Sequence, residues 1–494
     1  MRVLLIDPNY GFHALAMKAT PLGLLSIATY LKQRGVCVRI YDRNVDKASL
    51  EGVVREFRPD AVGVSVVTML SIRDGAAVSR RLRARGLPVI WGGFMATIAM
   101  EMALREGAAD YVVAGEGEIT FHALLQAIEA GREPSQVKGI AYMDASGRVR
   151  RTPEREFADM EKLPRIDFSF VDPRNYFCPQ QGCTKMLYLC ASKGCPGRCA
   201  FCFNRGFHRS ICRQRPVEYV ISEIEELAAK YGMDGVYFTD EMFGADKRAM
   251  AALCDRLQAL RPRVVWGCST RLCHFSRAEF QRMYDAGCRW IYFGIESGSP
   301  DMLSRIHKRL DPAQIDTDLR HCREIGIYTH CGIIVGLPDE TETQLRESVE
   351  LMLRIDTDRM QATSLLPMPG SEIYEALVGS GKLAPARTLR EWETLTPIEG
   401  VYGNFSRVPS LDLHVIQCFF LWRSFFQKFS AKDAPRHKFK PGAVLSSLRG
   451  MLPRGFVNGV RYVFSSAGIF FTIAWYRYAY PGVRKKYGLS TKKP

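Results

Sequence analysis

Short apolar runs alternate with stretches of helical spacing up to about Gly131. The runs fall at Val3–Asp7, Val36–Asp42, Ala61–Val67, Val89–Trp91 and Tyr111–Ala114. Between the first two, Leu24, Ile27, Ala28 and Leu31 recur at the interval that places them on one helix face, and Gly35 is a natural stop. Further helices are predicted from about Ile72, Thr97 and Glu118. This βα alternation predicts an α/β domain with a doubly wound parallel sheet, whose ligand edge lies at the carboxyl ends of the strands.

Three loops at that edge stand out. Thr68-Met69-Leu70-Ser71 follows the third run, Gly92-Gly93 the fourth, and Gly115-Glu116-Gly117-Glu118 the fifth. Glycines there let a backbone approach a large flat or phosphate-bearing ligand, or simply make tight turns. No GxGxxG follows the first run, so the usual dinucleotide fingerprint is missing.

A second βα series begins at Met186–Leu189. Apolar runs at Val236–Thr239, Val264–Ser269, Trp290–Ile295, Thr329–Val335 and Gln361–Leu366 are separated by helical stretches that include Val217–Tyr231, Arg277–Ala286 and Thr341–Ile355. Six such units predict a partial (β/α)6 TIM-like barrel with its chemistry at the carboxyl ends of the strands. Polar residues stand at those ends: Asp240-Glu241, Ser269-Thr270-Arg271 and Glu296-Ser297. Tyr292, His307 and Lys308 also fall near the barrel mouth, where a lone His or Lys is more often a solvated rim residue than a catalyst.

The first of these strands leads into Gly194-Cys195-Pro-Gly-Arg-Cys199-Ala-Phe201-Cys202. A C-x3-C-x2-C spacing can place three thiolates on three irons of a cubane and leave the fourth iron open. The competing reading is a zinc knuckle, for which Cys190, Cys212 or His208 would have to supply a fourth donor.

With these residues in place the chain resembles the cobalamin-binding radical S-adenosyl-L-methionine (SAM) family, in its class B methyltransferase-like branch. The likeness runs from about residue 186 to 375 and rests on several motifs. It implies that Cys195, Cys199 and Cys202 hold a 4Fe-4S cluster, that Phe201 contacts the adenine of SAM, and that Asp240-Glu241 hold the methionine amino group. It likewise implies a ribose-binding acid at Glu296, with Ser269 and Arg271 as further SAM-binding residues. Gly332-Ile-Ile-Val-Gly336-Leu-Pro-Asp-Glu340 and Leu-Pro-Met-Pro-Gly370 are similar to the fifth- and sixth-strand motifs. The first sheet is then a Rossmann-like cobalamin-binding domain. Its pattern is carried by Pro21-Leu-Gly23-Leu-Leu, Trp-Gly92-Gly93 and Val-Ala-Gly115-Glu116-Gly117-Glu118. On this resemblance Thr68, Met69, Leu70, Ser71, Gly92, Gly93, Gly115, Glu116, Gly117 and Glu118 are the expected cobalamin-binding residues. Related cobalamin domains use Asp-x-His-x-x-Gly, whose histidine ligates cobalt. Here the loop reads Asp7-Pro-Asn9-Tyr-Gly-Phe12, so no lower ligand is expected from it.

The implied chemistry is reductive cleavage of SAM, hydrogen abstraction from an unactivated carbon, and methyl transfer from methylcobalamin to a small or lipid-like metabolite. An external electron donor such as flavodoxin or ferredoxin is the implied partner. The second expectation is a cobalamin-dependent oxidative cyclase or ring-rearranging enzyme that transfers no methyl group. A tRNA methylthiotransferase needs a second cluster on three N-terminal cysteines, whereas residues 1–177 contain only Cys37.

Composition adds two points. The 15 cysteines are an odd number, and the first residues read as a buried strand and not as a secretory leader. Reduced thiols in the cytoplasm are therefore expected. Of the net charge of +16, residues 411–494 supply +13, from 15 Lys and Arg against 2 Asp and Glu. This segment has aromatic centres at Phe419–Lys428 and Gly468–Arg477. The apolar stretch Val463–Tyr476 is about a turn short of a bilayer span. A helical, basic C-terminal domain is expected, either as a cap or at the inner surface of a membrane, with nucleic acid ranked lower. The expected division is 1–131 cobalamin-binding domain, 132–185 linker, 186–375 radical SAM domain and 376–494 helical C-terminal domain.

Overall fold

The computed structural model describes residues 1–11, 19–393, 403–427 and 480–489. Phe12, Phe470, Trp475 and the stretches Gly468–Arg477 and Val463–Tyr476 lie outside the described residues, as does the side chain of Trp422. The chain divides into two compact units. The first holds residues 1–270, 281–290 and 367–393, and the second holds 271–280, 291–366 and the described residues beyond 403.

The first unit opens with strands β1 (Arg2–Asp7), β2 (Cys37–Asp42), β3 (Ala61–Ser65), β4 (Val89–Gly92) and β5 (Tyr111–Val113). They pair in parallel in the order β2-β1-β3-β4-β5, with Leu5 opposite Ile40 on one side and Gly63 on the other. Helices α1 (Leu22–Lys32), α2 (Leu50–Phe57), α3 (Met69–Arg83), α4 (Phe94–Ile98), α5 (Met100–Arg105) and α6 (Glu118–Glu129) connect them. Leu4, Ile6, Val62, Val64 and Trp91 are fully buried, as expected of strands covered on both faces. Trp91 keeps its indole N–H satisfied by donating to Ser79 Oγ at 2.8 Å.

Two antiparallel strands, β6 (Ile140–Met143) and β7 (Val149–Arg151), extend this sheet beyond β5. They occupy part of the stretch expected as linker and close the sheet with a short, polar edge. A later helix, Leu389–Glu393, returns to the same core with Leu389 and Trp392, and the Leu389 N–H donates to Glu106 at 2.7 Å.

Strand β8 (Cys178–Gln180) pairs antiparallel with β9 (Cys183–Leu189), and β9 runs parallel to the later strand Gly235–Phe238. Between them lies a small hairpin, β10 (Ser192–Lys193) with β11 (Arg213–Gln214). The strand Gly235–Phe238 is β12, and it pairs in parallel with β13 (Val265–Thr270). The helix Val217–Tyr231 fills the crossover and ends where Gly232 turns left-handed at φ 70°.

Strand β14 (Cys288–Glu296) carries the chain into the second unit. There β15 (Tyr328–Val335) and β16 (Arg359–Ser364) pair in parallel, with Gly332 opposite Gln361. Counted along the chain, β9 and β12–β16 with their helices are the βα units of a partial TIM-like barrel. The helix Ser410–Gln427 packs along β16, and its Ser424 hydroxyl accepts from the Met360 N–H at 3.1 Å. Phe419 and Phe420 are buried, so these aromatics belong to the protein interior. Lys486 and Tyr487 tie the last described segment to Asp412 at 2.9 and 3.2 Å. Among the described residues no helix is long and apolar enough to cross a membrane.

Candidate functional site

The three motif cysteines lie on the loop from β10 to the short helix Asn204–Phe207, each half-buried. None of the cysteines forms a disulfide among the described residues. The loop is turned by its own backbone, with the Cys202 N–H donating to the Cys199 carbonyl at 3.1 Å. The Gly197 N–H lies 3.3 Å from Cys195 Sγ. A Cβ on Gly197 would come within 3.2 Å of that sulfur and 4.0 Å of Cys199 Sγ, so glycine keeps the space between two thiols open. Asn204 fixes the first turn by donating to the Cys195 carbonyl at 2.8 Å. Among the described residues no three His, Cys, Asp or Glu side chains converge as ligands of one ion. A cubane takes each thiolate on a different iron. Three half-buried thiols on a backbone-braced loop fit that donor set.

Acids from two other elements hold this loop. Asp240, fully buried after β12, accepts from the Ala191 N–H at 2.9 Å and the Ser192 hydroxyl at 2.5 Å. Burial pushes its carboxyl up to about 6 despite those bonds. Glu241 accepts from the Gly194 N–H at 2.9 Å, and its other oxygen lies 3.3 Å from His208 Nε2. Burial works against its charge, yet the bonds from His208 and Gly194 hold it below the ordinary carboxylate range. Glu223 pairs with Arg215 in the interior and accepts from the Ile166 N–H at 2.7 Å. Arg215 also donates to the Cys190 carbonyl at 2.8 Å. Of the further donors a zinc knuckle would need, His208 is turned to Glu241. The Cys190 thiol is pushed up to about 11 by burial.

At the carboxyl edge of the first sheet, Thr68 caps α3, and Ser71 closes the turn by donating to the Thr68 carbonyl at 2.6 Å. Met69 and Leu70 begin that helix, half-buried. The hydroxyls of Thr20 and Thr68 are buried and have no hydrogen-bond partner among the described residues. Gly93, at φ 104°, packs against the Val66 carbonyl where a side chain would collide. Gly92 and Gly115 meet nothing within 4 Å of a built Cβ. Open glycine surfaces beside unsatisfied hydroxyls fit a large ligand at this edge. Asn9 stands where a cobalt-ligating histidine would be, but its amide is spent on the Arg43 carbonyl at 2.9 Å and the Gly11 N–H at 2.7 Å. Beneath it lies a buried acid pair. Tyr10 donates to Asp7 at 2.8 Å and Tyr176 to Asp42 at 2.7 Å, and Asp7 is pushed up to about 8 by burial and by Asp42.

The glutamates of the fifth loop turn away from the open edge, toward the cysteine hairpin. Glu118 accepts from Lys193 at 2.7 Å and from Ser26 Oγ at 2.6 Å, and Glu116 accepts from Arg213 at 3.0 Å. Burial alone would raise the Glu118 carboxyl, but Lys193 and Ser26 bring it down to about 2. Phe94, directly after Gly93, stacks on Phe203, directly after Cys202, at 4.0 Å between centroids, and lies 5.5 Å from Phe207. The glycine-rich edge and the cysteine loop therefore adjoin. Sequence reasoning missed Lys193, Arg213, Phe94 and Phe203. The only available signal was charge complementarity between Glu-Gly-Glu and a basic hairpin distant in the chain.

The remaining strand-end residues divide between the units. In the first, Phe201 is half-buried on the cysteine loop and Ser269 bonds to the Tyr237 hydroxyl at 2.6 Å. In the second, Glu296 sits at φ 72° at the end of β14 and pairs with Lys308 at 2.9 Å. Arg271 donates to the carbonyls of Lys308 and Arg309, the latter at 2.8 Å. Lys308 is thus a buried partner of Glu296 and not a solvated rim residue, because its loop is folded back by Arg271. Glu340 accepts from the Gly336 N–H at 2.9 Å, and burial pushes it up to about 7.

A glycine-looped parallel sheet beside a three-cysteine barrel loop defines a class of protein that pairs a large-ligand domain with an iron–sulfur site. Residues 12–125 match the B12 binding domain family, and residues 189–352 match the radical SAM superfamily. The chain belongs to the cobalamin-binding radical SAM enzymes. An uncharacterized methyltransferase of Pyrococcus horikoshii is 28% identical over 76% of this chain and 82% of its own length. An anaerobic magnesium-protoporphyrin IX monomethyl ester cyclase of Rubrivivax gelatinosus is 26% identical over 93% of this chain and 84% of its own. The fold is similar to that of the radical SAM methyltransferase TsrM from Kitasatospora setae, solved with cobalamin and a [4Fe-4S] cluster bound. That likeness has a TM-score of 0.69 and 19% identity and covers 97% of this chain and 99% of that one.

Proposed function

We propose that this chain is a radical SAM C-methyltransferase that moves a methyl group from SAM, by way of cobalamin, to an unactivated carbon of a small or lipid-like metabolite. The observation that carries the reading is the Phe94–Phe203 stack at 4.0 Å, which sets the glycine edge against the cysteine loop. A reaction that uses both groups on one substrate needs them adjacent. When bound, the cluster with SAM supplies hydrogen-atom abstraction and cobalamin supplies methyl transfer.

In this reading Cys195, Cys199 and Cys202 hold the cluster, and Phe201 packs on the adenine. Glu241 is the acid for the methionine amino group, since its side chain is one-third exposed, while the buried Asp240 holds the loop. Glu296 takes the ribose, held in place by Lys308. Gly92 and Gly115 give cobalamin a bare backbone, and Thr68 offers it a hydroxyl. The phenyl rings of Phe94 and Phe203 exclude water between the two cofactors and favour an apolar substrate surface. An external one-electron donor is required to reduce the cluster. A cyclase that transfers no methyl group is the second reading, favoured by the cyclase relative's match over 93% of this chain.

The deciding experiment is anaerobic reconstitution with iron, sulfide, cobalamin and methyl-labelled SAM, followed by a search for labelled product among candidate metabolites. Label in the product supports methyl transfer, and a cyclised, unlabelled product supports the second reading. Iron and sulfide near four per chain, lost on joint Ala substitution of Cys195, Cys199 and Cys202, are expected for a single cluster.

A further inference from the structure

We propose that Glu116 and Glu118 are positioning residues that couple occupancy of the first sheet's edge to the geometry of the cysteine loop. The proposal rests on the cobalamin reading of that edge. Along Gly115-Glu116-Gly117-Glu118 the residues face different ways, with Gly117 packed against Ile27. Gly115 has open space beside it, whereas Glu116 and Glu118 bond to the hairpin. One four-residue loop therefore serves a ligand with Gly115 and the cysteine loop with its acids.

The path from Glu118 to the first cysteine is short and stiff. Lys193 is followed by Gly194 and Cys195. Gly194 lies at φ 84°, and a side chain there would collide with the Ile211 carbonyl. Its N–H is pinned by Glu241 at 2.9 Å. On the opposite strand Arg213 is bound by Glu116, and Lys193 pairs with Arg213 in the hairpin register. Lys193, Ser26 and Arg215 line a cavity of about 70 Å³, which leaves Lys193 room to follow a displacement of Glu118. A ligand that presses on Gly115 shifts Glu116 and Glu118 with it, and two largely buried ion pairs pass that shift to both strands that flank the cysteine loop.

Coupling between two sites is reciprocal, so the effect of the cluster on cobalamin affinity measures it without turnover. The test titrates hydroxocobalamin into the full chain, with and without a reconstituted cluster, and compares the two Kd values. The wild-type ratio is expected to be at least about fivefold. In Lys193→Gln it should fall to about one, while cobalamin affinity of the cluster-free protein changes less than twofold. Glu116→Gln provides a second variant if Lys193→Gln folds poorly, and the exchange Lys193→Glu with Glu118→Lys should restore part of the ratio. The paramagnetic spectrum of the reduced cluster should shift on cobalamin addition in wild type and not in Lys193→Gln. A wild-type ratio of one, or a ratio that survives both single substitutions, overturns the coupling alone. No cobalamin binding by the wild-type chain overturns the functional reading together with it.

Discussion

Replacing Lys193 by Met removes one charge from a site in which Glu118 is buried, and the cost follows from the geometry. With Lys193 at 2.7 Å and Ser26 at 2.6 Å, the Glu118 carboxyl is held down to about 2, against an ordinary 4.5. At about 1.4 kcal/mol per pH unit that depression corresponds to about 3 kcal/mol. Removing one partner of a buried pair costs about 3–5 kcal/mol by other measures, so the two scales agree. In Lys193→Met the Ser26 hydroxyl and the Glu118 backbone N–H remain, and burial raises the Glu118 carboxyl above its unfolded value. A group so raised stabilises the fold below its unfolded pKa and loses that contribution as pH rises through the folded one. The variant is therefore expected to lose about 3–5 kcal/mol at pH 8 and clearly less at pH 5. Urea unfolding followed by circular dichroism reads the difference, and Lys193→Met with Glu118→Gln should recover most of the loss because no buried charge is left. An equal loss at both pH values, or no recovery in the double variant, would mean that Lys193 does not hold the Glu118 charge.

Two other outcomes follow from the same kind of argument. Asp240, raised to about 6, stabilises the fold below its ordinary range and loses that contribution as pH rises through 6, so Asp240→Asn should flatten the wild-type pH dependence between about 4 and 7; unfolding curves of the two proteins that stay parallel across that window would count against it. The +13 carried by residues 411–494 should give sedimentation with anionic vesicles at low salt and release at high salt, each Lys or Arg near the surface adding about 1 kcal/mol; full recovery in the supernatant under every condition would remove membrane contact from the proposal.

The strands of both series were legible because parallel strands buried on both faces read as continuous apolar runs. The predicted Val217–Tyr231 helix is reproduced residue for residue, with Gly232 as its stop. Strands β6 and β7 escaped notice because they are four and three residues long, with Tyr142 and Arg150 facing outward among polar neighbours. In the site, the cysteine spacing was legible because it is local. The partners that hold the loop were not, since Lys193 and Arg213 meet their glutamates across 75 and 97 residues of chain. Charge pattern along a sequence carries no register at such separations. The aromatic stack of Phe94 on Phe203 has the same origin: each residue sits beside a recognised motif, and only the fold shows that the two motifs meet.

Acids at strand ends invite assignment as ligand-binding residues, and this chain shows why the assignment needs geometry. The hairpin beside the cysteines has strands of two residues each, too small to fix its own position by apolar burial. Its placement comes instead from Glu116 and Glu118 of the first sheet, Asp240 and Glu241 after β12, and Glu223 of the Val217–Tyr231 helix. Each is matched to a cation or N–H of the hairpin or of the residues bordering it. What marks a purely holding acid is that both its oxygens are engaged and shielded from solvent; Glu241 is engaged by Gly194 and His208 but stays one-third exposed. Asp240 has both committed and no exposure, so a ligand would have to break the loop to reach it. Glu296 commits Oε1 to Lys308, and Oε2 has no hydrogen bond among the described residues. An acid oriented by a buried lysine, held at a positive φ and left with one oxygen unspent is poised to accept from a ribose hydroxyl. By this criterion Glu296 is the carboxylate of the second unit that the proposed function assigns to the ribose, and the shielded Asp240 is the acid that keeps the cysteine loop in place.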